Sequence, residues 1–190
     1  MSEFPIHTIE SAPEASQALI AGAQKNFGFV PNLLGVMASA PAALKSYVAL
    51  GGTLSETSFT PVEQQVIALT VSRLNECAYC MGAHSGIAKM AGMSDDNLEA
   101  LRSGAVLPDS RLQSLAAFTA TVVTKRGWAT EADQEEFVAA GFSQQQILEV
   151  LVGVAMKTLS NYTNHLAETP LDAQFAAFAW SPPVSAATAG

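Results

Sequence analysis

The 190-residue chain carries nine Lys and Arg against seventeen Asp and Glu, for a formal net charge of −8. Nucleic acid is excluded as a partner, because phosphate-backbone binding needs clustered basic residues. Hydrophobic residues make up 49% and charged residues 14%, more apolar material than a lone monomer of this size needs, so a homo-oligomer is expected.

Met1 to Glu10 has neither the basic start nor the apolar run of a secretory signal, and no stretch reaches the roughly 18 apolar residues of a membrane span. The expectations are therefore one domain over residues 1–190, no membrane and a cytoplasmic location. In such a compartment a structural disulfide is unusual, which turns attention to the only two cysteines, three residues apart.

Taken in chain order, the pattern is helix after helix, with no sustained alternation of the strand type. An N-terminal arm and helix occupy residues 1–26, with a helical stretch from Pro13 to Lys25 and Ser11 with Glu14 as a capping box. Phe27-Gly28-Phe29-Val30-Pro31 breaks it, and Ser39 and Pro41 open a helix towards Leu54. Thr60 as N-cap, Pro61 at the first helical position and Glu63 three residues after the cap give the clearest start, for a helix to Leu74. Asn75 and Glu76 break it before a second helix from Cys77 to Met90, stopped by Gly92, so residues 60–92 form a helix pair.

Ser94 caps a helix ending at Gly104, Pro108 to Arg126 forms one ending at Gly127, and Thr130 caps one ending at Gly141. Ser143 and Gln146 make a further capping box for a long helix through Val150, Val154 and Leu159 to Ala167. Residues 181–190, rich in Pro, Ala and Ser, read as a frayed tail.

Cys77-Ala78-Tyr79-Cys80-Met81-Gly82-Ala83-His84 puts two thiols and an imidazole at i, i+3 and i+7, one face of a helix. Helical Cα atoms three apart lie about 5 Å from each other, within reach of a disulfide, so dithiol and disulfide interconvert with little backbone movement. A first-turn position favours the reactive thiolate, and His84, one turn beyond Cys80, is placed to relay its proton. Three other readings compete. Zinc would need a fourth ligand from His7, His165 or a carboxylate, and no second ligand pair stands at finger spacing. Two inert buried cysteines would leave the shared face unexplained. A thioredoxin-type motif needs a strand before it, where Val62 to Leu74 reads as a capped helix.

Leu74-Asn75-Glu76-Cys77-Ala78-Tyr79-Cys80 followed by His84, after the Pro61-capped helix, resembles the AhpD-like, carboxymuconolactone decarboxylase superfamily, and most of all its peroxidase-related branch. The resemblance covers residues 27 to 175, with a weaker match at Asn161-Tyr162-Thr163-Asn164-His165. It implies an all-α, AhpD-like helical bundle, a homo-oligomer (dimer, trimer or hexamer) and alkylhydroperoxidase activity: a thiol reduces a small-molecule peroxide, and a dithiol reductant, whose identity the resemblance leaves open, restores the pair. No cofactor is implied. Decarboxylase members generally lack the cysteine pair.

By position, Cys80 resembles the attacking thiol, Cys77 the resolving thiol and His84 the relay. Where peroxidase members carry a Glu, twelve residues before the first cysteine, this chain has Gln65, which hydrogen-bonds but accepts no proton at neutral pH. Weak or altered activity is therefore expected. Glu76, Asn161 and His165 are candidate pocket residues, and Phe175, Phe178 and Trp180 either cover a neighbouring subunit's pocket or dock the tail. Gly82 and Gly86, four apart, suit close helix packing. A non-catalytic or metal-binding helical oligomer and a general disulfide oxidoreductase are the alternative functions.

Overall fold

The computed structural model describes residues 4–182, which form nine α-helices and one 3-10 helix, with no strand among them. The helices are α1 Glu14–Phe27, α2 Asn32–Met37, α3 Pro41–Ser55, α4 Pro61–Leu74, α5 Ala78–Met90, α6 Asp95–Ser103, α7 Ser110–Thr124, α8 Glu131–Ala139 and α9 Gln144–Ala167, followed by the 3-10 helix Ala173–Phe178. The expected tail lies, from residue 183 onward, outside the described residues. No single described helix is long and apolar enough to cross a membrane.

Local chemistry sets most of the boundaries. The Thr60 hydroxyl accepts from the Glu63 N–H and the Glu63 carboxylate from the Thr60 N–H, a closed capping box ahead of Pro61. Thr130 with Asp133 and Ser143 with Gln146 repeat it at α8 and α9. Gly28 and Gly104 end α1 and α6 at φ near +80°, a conformation that costs glycine nothing.

Two expectations are corrected. The Ser11–Glu14 box does not form; the Ser11 hydroxyl accepts from the Thr8 N–H instead, and α1 starts behind Pro13 without a side-chain cap. Helix α7 begins at Ser110, because the Asp109 carboxylate caps the Leu112 N–H. Two elements were not foreseen: α2, whose six residues are too short for a periodic signal, and the 3-10 helix.

Helix α4 is central and packs against α5, α6, α7 and α9. One apolar cluster surrounds Ile67, Leu69, Leu115, Phe137 and Val150; a second, built from α1, α2, α3 and α5, encloses Cys77 and Cys80. The last described segment lies along α5. A Cβ at Gly82 would stand 2.9 Å from Leu171 and one at Gly86 2.9 Å from Phe175, so a side chain at either would displace the residue packed on it. The close packing expected at Gly82 and Gly86 is thus made by the chain's own C-terminal segment. The segment is held by Asp172, whose carboxylate accepts from the Tyr79 hydroxyl at 2.6 Å and the Asn32 N–H at 2.9 Å. Arg102 donates to the carbonyls of Phe178 and Ala179, and Trp180 Nε1 to that of Arg102. Phe175, Phe178 and Trp180 dock onto their own subunit.

Candidate active site

The turn between α4 and α5 places the thiols. Glu76, at φ +53°, folds the chain back so that the Cys77 N–H donates to the Ser72 carbonyl at 2.9 Å. Cys77 becomes the extended N-cap of α5 and Cys80 falls in its first turn. Both thiols are free and 1% exposed.

Opposite them stands one face of α9. Asn164 Nδ2 donates to Cys80 Sγ at 3.2 Å and to Cys77 Sγ at 3.7 Å, and the Cys80 thiol points to Ser160 Oγ at 3.8 Å. Lys157, one turn before Ser160, is fully buried, and its Nζ has no hydrogen-bond partner among the described residues.

This setting divides the two sulfurs. Burial opposes ionisation of Cys80, but the neighbouring Cys77 thiol, the Lys157 charge and the Ser160 hydroxyl outweigh it and hold the thiol well below its ordinary value. Cys77 is pushed up by its interaction with the Cys80 sulfur and by burial. Of the two sulfurs, Cys80 is therefore the one whose ionisation the surroundings favour. His84 is driven well below its ordinary value by burial and then by the Lys157 charge, so its imidazole is neutral.

His84 Nδ1 lies 2.8 Å from Gln65 Oε1. An amide oxygen only accepts, so Nδ1 carries the proton and Nε2 presents a lone pair.

Cys80, His84, Gln65 and Lys157 share the wall of a cavity of about 210 Å³. The rest of the wall is largely apolar: Pro31, Leu33, Leu34, Leu54, Ile87, Met156 and Phe175, with Tyr47 and Tyr79. A neighbouring groove of about 460 Å³ between α1 and α3 shares Phe27, Leu34, Tyr47, Gly51 and Met156 with it, giving a continuous apolar approach.

The other candidates lie elsewhere. Glu76 is exposed and outside the cavity wall, because its left-handed backbone serves the turn. Asn161 is buried but also outside that wall; it accepts from Asn75 and donates to Ser72, fastening α9 to the end of α4. His165 is exposed beside Tyr162, on another face of α9. Glu63 is absorbed by its cap and by Arg111 at 2.8 Å. Among the described residues no group of three or more His, Cys, Asp or Glu is placed to hold a metal ion, and His7 is bonded to Ser11 and Ser39.

Lys157, Ser160 and Asn164 were not among the sequence candidates. Their signal was spacing: Val150, Gly153, Lys157, Ser160 and Asn164 follow one another at three- and four-residue steps on the buried stripe of α9.

Residues 41–109 match the sequence model of the carboxymuconolactone decarboxylase family. No curated protein matches the sequence. Among solved structures, the chain is similar to an alkylhydroperoxidase AhpD core, a peroxidase-related protein from Ralstonia eutropha JMP134, with 23% identity, a TM-score of 0.82 and coverage of 92% of this chain and 94% of that one. A peroxidase-related protein from Silicibacter sp. TM1040 follows at 24% identity and a TM-score of 0.79, covering 92% of each chain. The debrominase Bmp8, crystallised as a cysteine-to-alanine variant with 2,3,4-tribromopyrrole, has 17% identity and a TM-score of 0.77, with coverage of 94% of this chain and 96% of that one. The fold is AhpD-like and all-α.

Proposed function

We propose that this AhpD-like protein is a thiol oxidoreductase that reduces small apolar hydroperoxides by a Cys77–Cys80 dithiol–disulfide cycle. The observation that carries the reading is the asymmetry of the pair: Cys80 lies in the wall of an apolar cavity with Lys157 and is contacted by Asn164 and Ser160, surroundings that favour its thiolate, while Cys77 lies behind it, outside that wall.

The Cys80 thiolate attacks the terminal peroxide oxygen, forming a sulfenic acid and releasing an alcohol. Cys77 then attacks Cys80 Sγ, the S–S bond forms and water leaves with the Cys77 proton. An external dithiol restores the pair. When Cys80 enters the cycle protonated, His84 Nε2 takes its proton and relays it outward, with Gln65 fixing the ring. A cavity of about 210 Å³ is smaller than the roughly 300–1,000 Å³ of drug-sized ligand sites, so small organic peroxides suit it.

Free thiols counted before and after one equivalent of cumene hydroperoxide test this. The wild type should lose two thiols per chain and the Cys80→Ser variant none. Unchanged thiols in the wild type would refute the reading.

The likeness to a debrominase fold supports a second reading on the same residues. Here Cys80 attacks bromine on an electron-rich ring, the carbon takes a proton, and Cys77 displaces bromide as the disulfide forms. Bromide release from 2,3,4-tribromopyrrole in place of peroxide consumption would favour it. A homo-oligomer belongs to the proposal as well: Leu148, Leu151, Tyr162 and Leu166 are exposed along α9, an apolar stripe suited to a second copy. So does a cytoplasmic location, whose reductants would keep both thiols reduced.

A further inference from the structure

Lys157 is a lysine with no exposed surface, no carboxylate beside it in the cavity wall and no hydrogen-bond partner for Nζ among the described residues. Burying an unpaired ammonium is costly, and replacing it with an apolar residue of similar volume would be expected to stabilise a purely structural core. Its position in the wall with Cys80 accounts for it.

The titratable groups that face it are few. Helix α3 supplies Tyr47, and α5 with its N-cap supplies Cys77, Cys80, His84 and Tyr79, whose hydroxyl proton is committed to Asp172 at 2.6 Å. Helices α2 and α4 place only Leu33, Leu34, Gln64 and Gln65 in the wall, and α7 and α8 place nothing there.

Peroxide reduction by a thiolate expels an alkoxide, which needs a proton inside an apolar cavity. His84 is unsuited to give it, because its one ring proton is bound to Gln65 Oε1 at 2.8 Å and Nε2 carries a lone pair. Tyr47 is half-buried, and loss of solvation pushes its hydroxyl up, away from donation. Resting on the reading of Cys80 as nucleophile, we infer that Lys157 is a second catalytic residue: the counter-ion of the Cys80 thiolate before attack and the acid that protonates the departing alkoxide.

The step balances. The S–O bond forms as O–O breaks, Cys80 sulfur is oxidised by two electrons, the peroxide is reduced by two, and the Nζ proton completes the alcohol. The driving force is built in. Burial works to strip Lys157 of its proton, and the Cys80 charge holds it there. Once that charge has passed to the alkoxide, the ammonium stands beside a far stronger base. Reduction of the disulfide returns two protons, one to Cys77 and one to Lys157.

The test compares peroxides with poor and good leaving groups in single-turnover oxidation of Cys80, for the wild type, Lys157→Met and Lys157→Arg. Cumene hydroperoxide releases an alkoxide that needs the acid; peroxybenzoic acid releases a carboxylate that does not. Iodoacetamide alkylation against pH reports the thiolate separately. Both variants should lose at least about 100-fold in the hydroperoxide-to-peracid rate ratio, the scale of a lost general acid. Lys157→Met should also alkylate only at higher pH. Lys157→Arg should keep the wild-type alkylation profile, since a guanidinium supplies charge but does not release its proton, and it carries the test if Lys157→Met does not fold. An unchanged ratio in a folded variant would overturn the acid role, whereas a wild type inert to hydroperoxide would sink the peroxidase reading and the acid role with it.

Discussion

Gln65→Glu changes one atom group and leaves the side-chain length intact. The wild-type Gln65 oxygen accepts the His84 Nδ1 proton at 2.8 Å, a neutral hydrogen bond worth about 0.5–1.5 kcal/mol, whereas a bond to a charged acceptor is worth about 1.5–3. The difference, about 1–1.5 kcal/mol, favours the imidazolium by roughly one pKa unit, or tenfold. It opposes the burial and the Lys157 charge that keep His84 neutral. The gain reaches Cys80 only where its sulfur would otherwise be protonated, by stabilising an imidazolium–thiolate pair. On the acid side of the Cys80 titration, the variant should therefore be oxidised about tenfold faster, and above that titration the two proteins should converge. Gln65 is half-buried, so the new carboxylate keeps part of its hydration. The assay is stopped-flow thiol consumption by hydroperoxide across pH, repeated in a His84→Ala background, where the Gln65→Glu effect should vanish. An acceleration that persists without His84, or one that is equal at all pH values, would refute the relay.

Three further predictions concern the scaffold. In Gly153→Ala the new Cβ would stand 2.6 Å from Ile67 Cγ2, and Ile67 is itself fully buried; overpacking of roughly 1–3 kcal/mol should exceed the helix-propensity gain of up to about 1 kcal/mol, so the urea midpoint should fall. Asp172→Ala strands the Tyr79 hydroxyl and the Asn32 N–H and should cost about 3 kcal/mol while opening the C-terminal segment to proteolysis; a change below about 0.5 kcal/mol would show that the latch is dispensable. Sedimentation should give a stable oligomer at micromolar concentration that Leu151→Lys dissociates, and a monomeric wild type would contradict the oligomer.

Most helix boundaries were legible because they are fixed by chemistry within four residues: the Thr60, Thr130 and Ser143 caps and the Gly28 and Gly104 stops act locally. The thiol spacing and its place at a helix start were legible for the same reason. What depends on distant packing was not. Residue 165 was favoured over 164 because histidine has the more evident chemistry, yet one residue turns about 100° around a helix, and it is Asn164 that meets the sulfurs. Lys157 looks like any helix-surface lysine until the stripe through Val150, Gly153 and Ser160 is followed. The short α2 had no period to read, and the 3-10 helix depends on contacts with α5. The Gln65–His84 bond joins two residues singled out in the sequence, and it is the packing of α4 on α5 that brings them together.

The central claim is that Cys80 is the atom oxidised and Cys77 the one that resolves it. In the Cys77→Ser variant the resolving step is removed, so one equivalent of hydroperoxide should leave a sulfenic acid on Cys80, which dimedone traps and peptide mass spectrometry assigns. The wild type treated alike should show no adduct and a Cys77–Cys80 peptide two hydrogens lighter. An adduct on Cys77 in Cys80→Ser with none on Cys80 in Cys77→Ser, or no oxidation of either sulfur, would contradict the account.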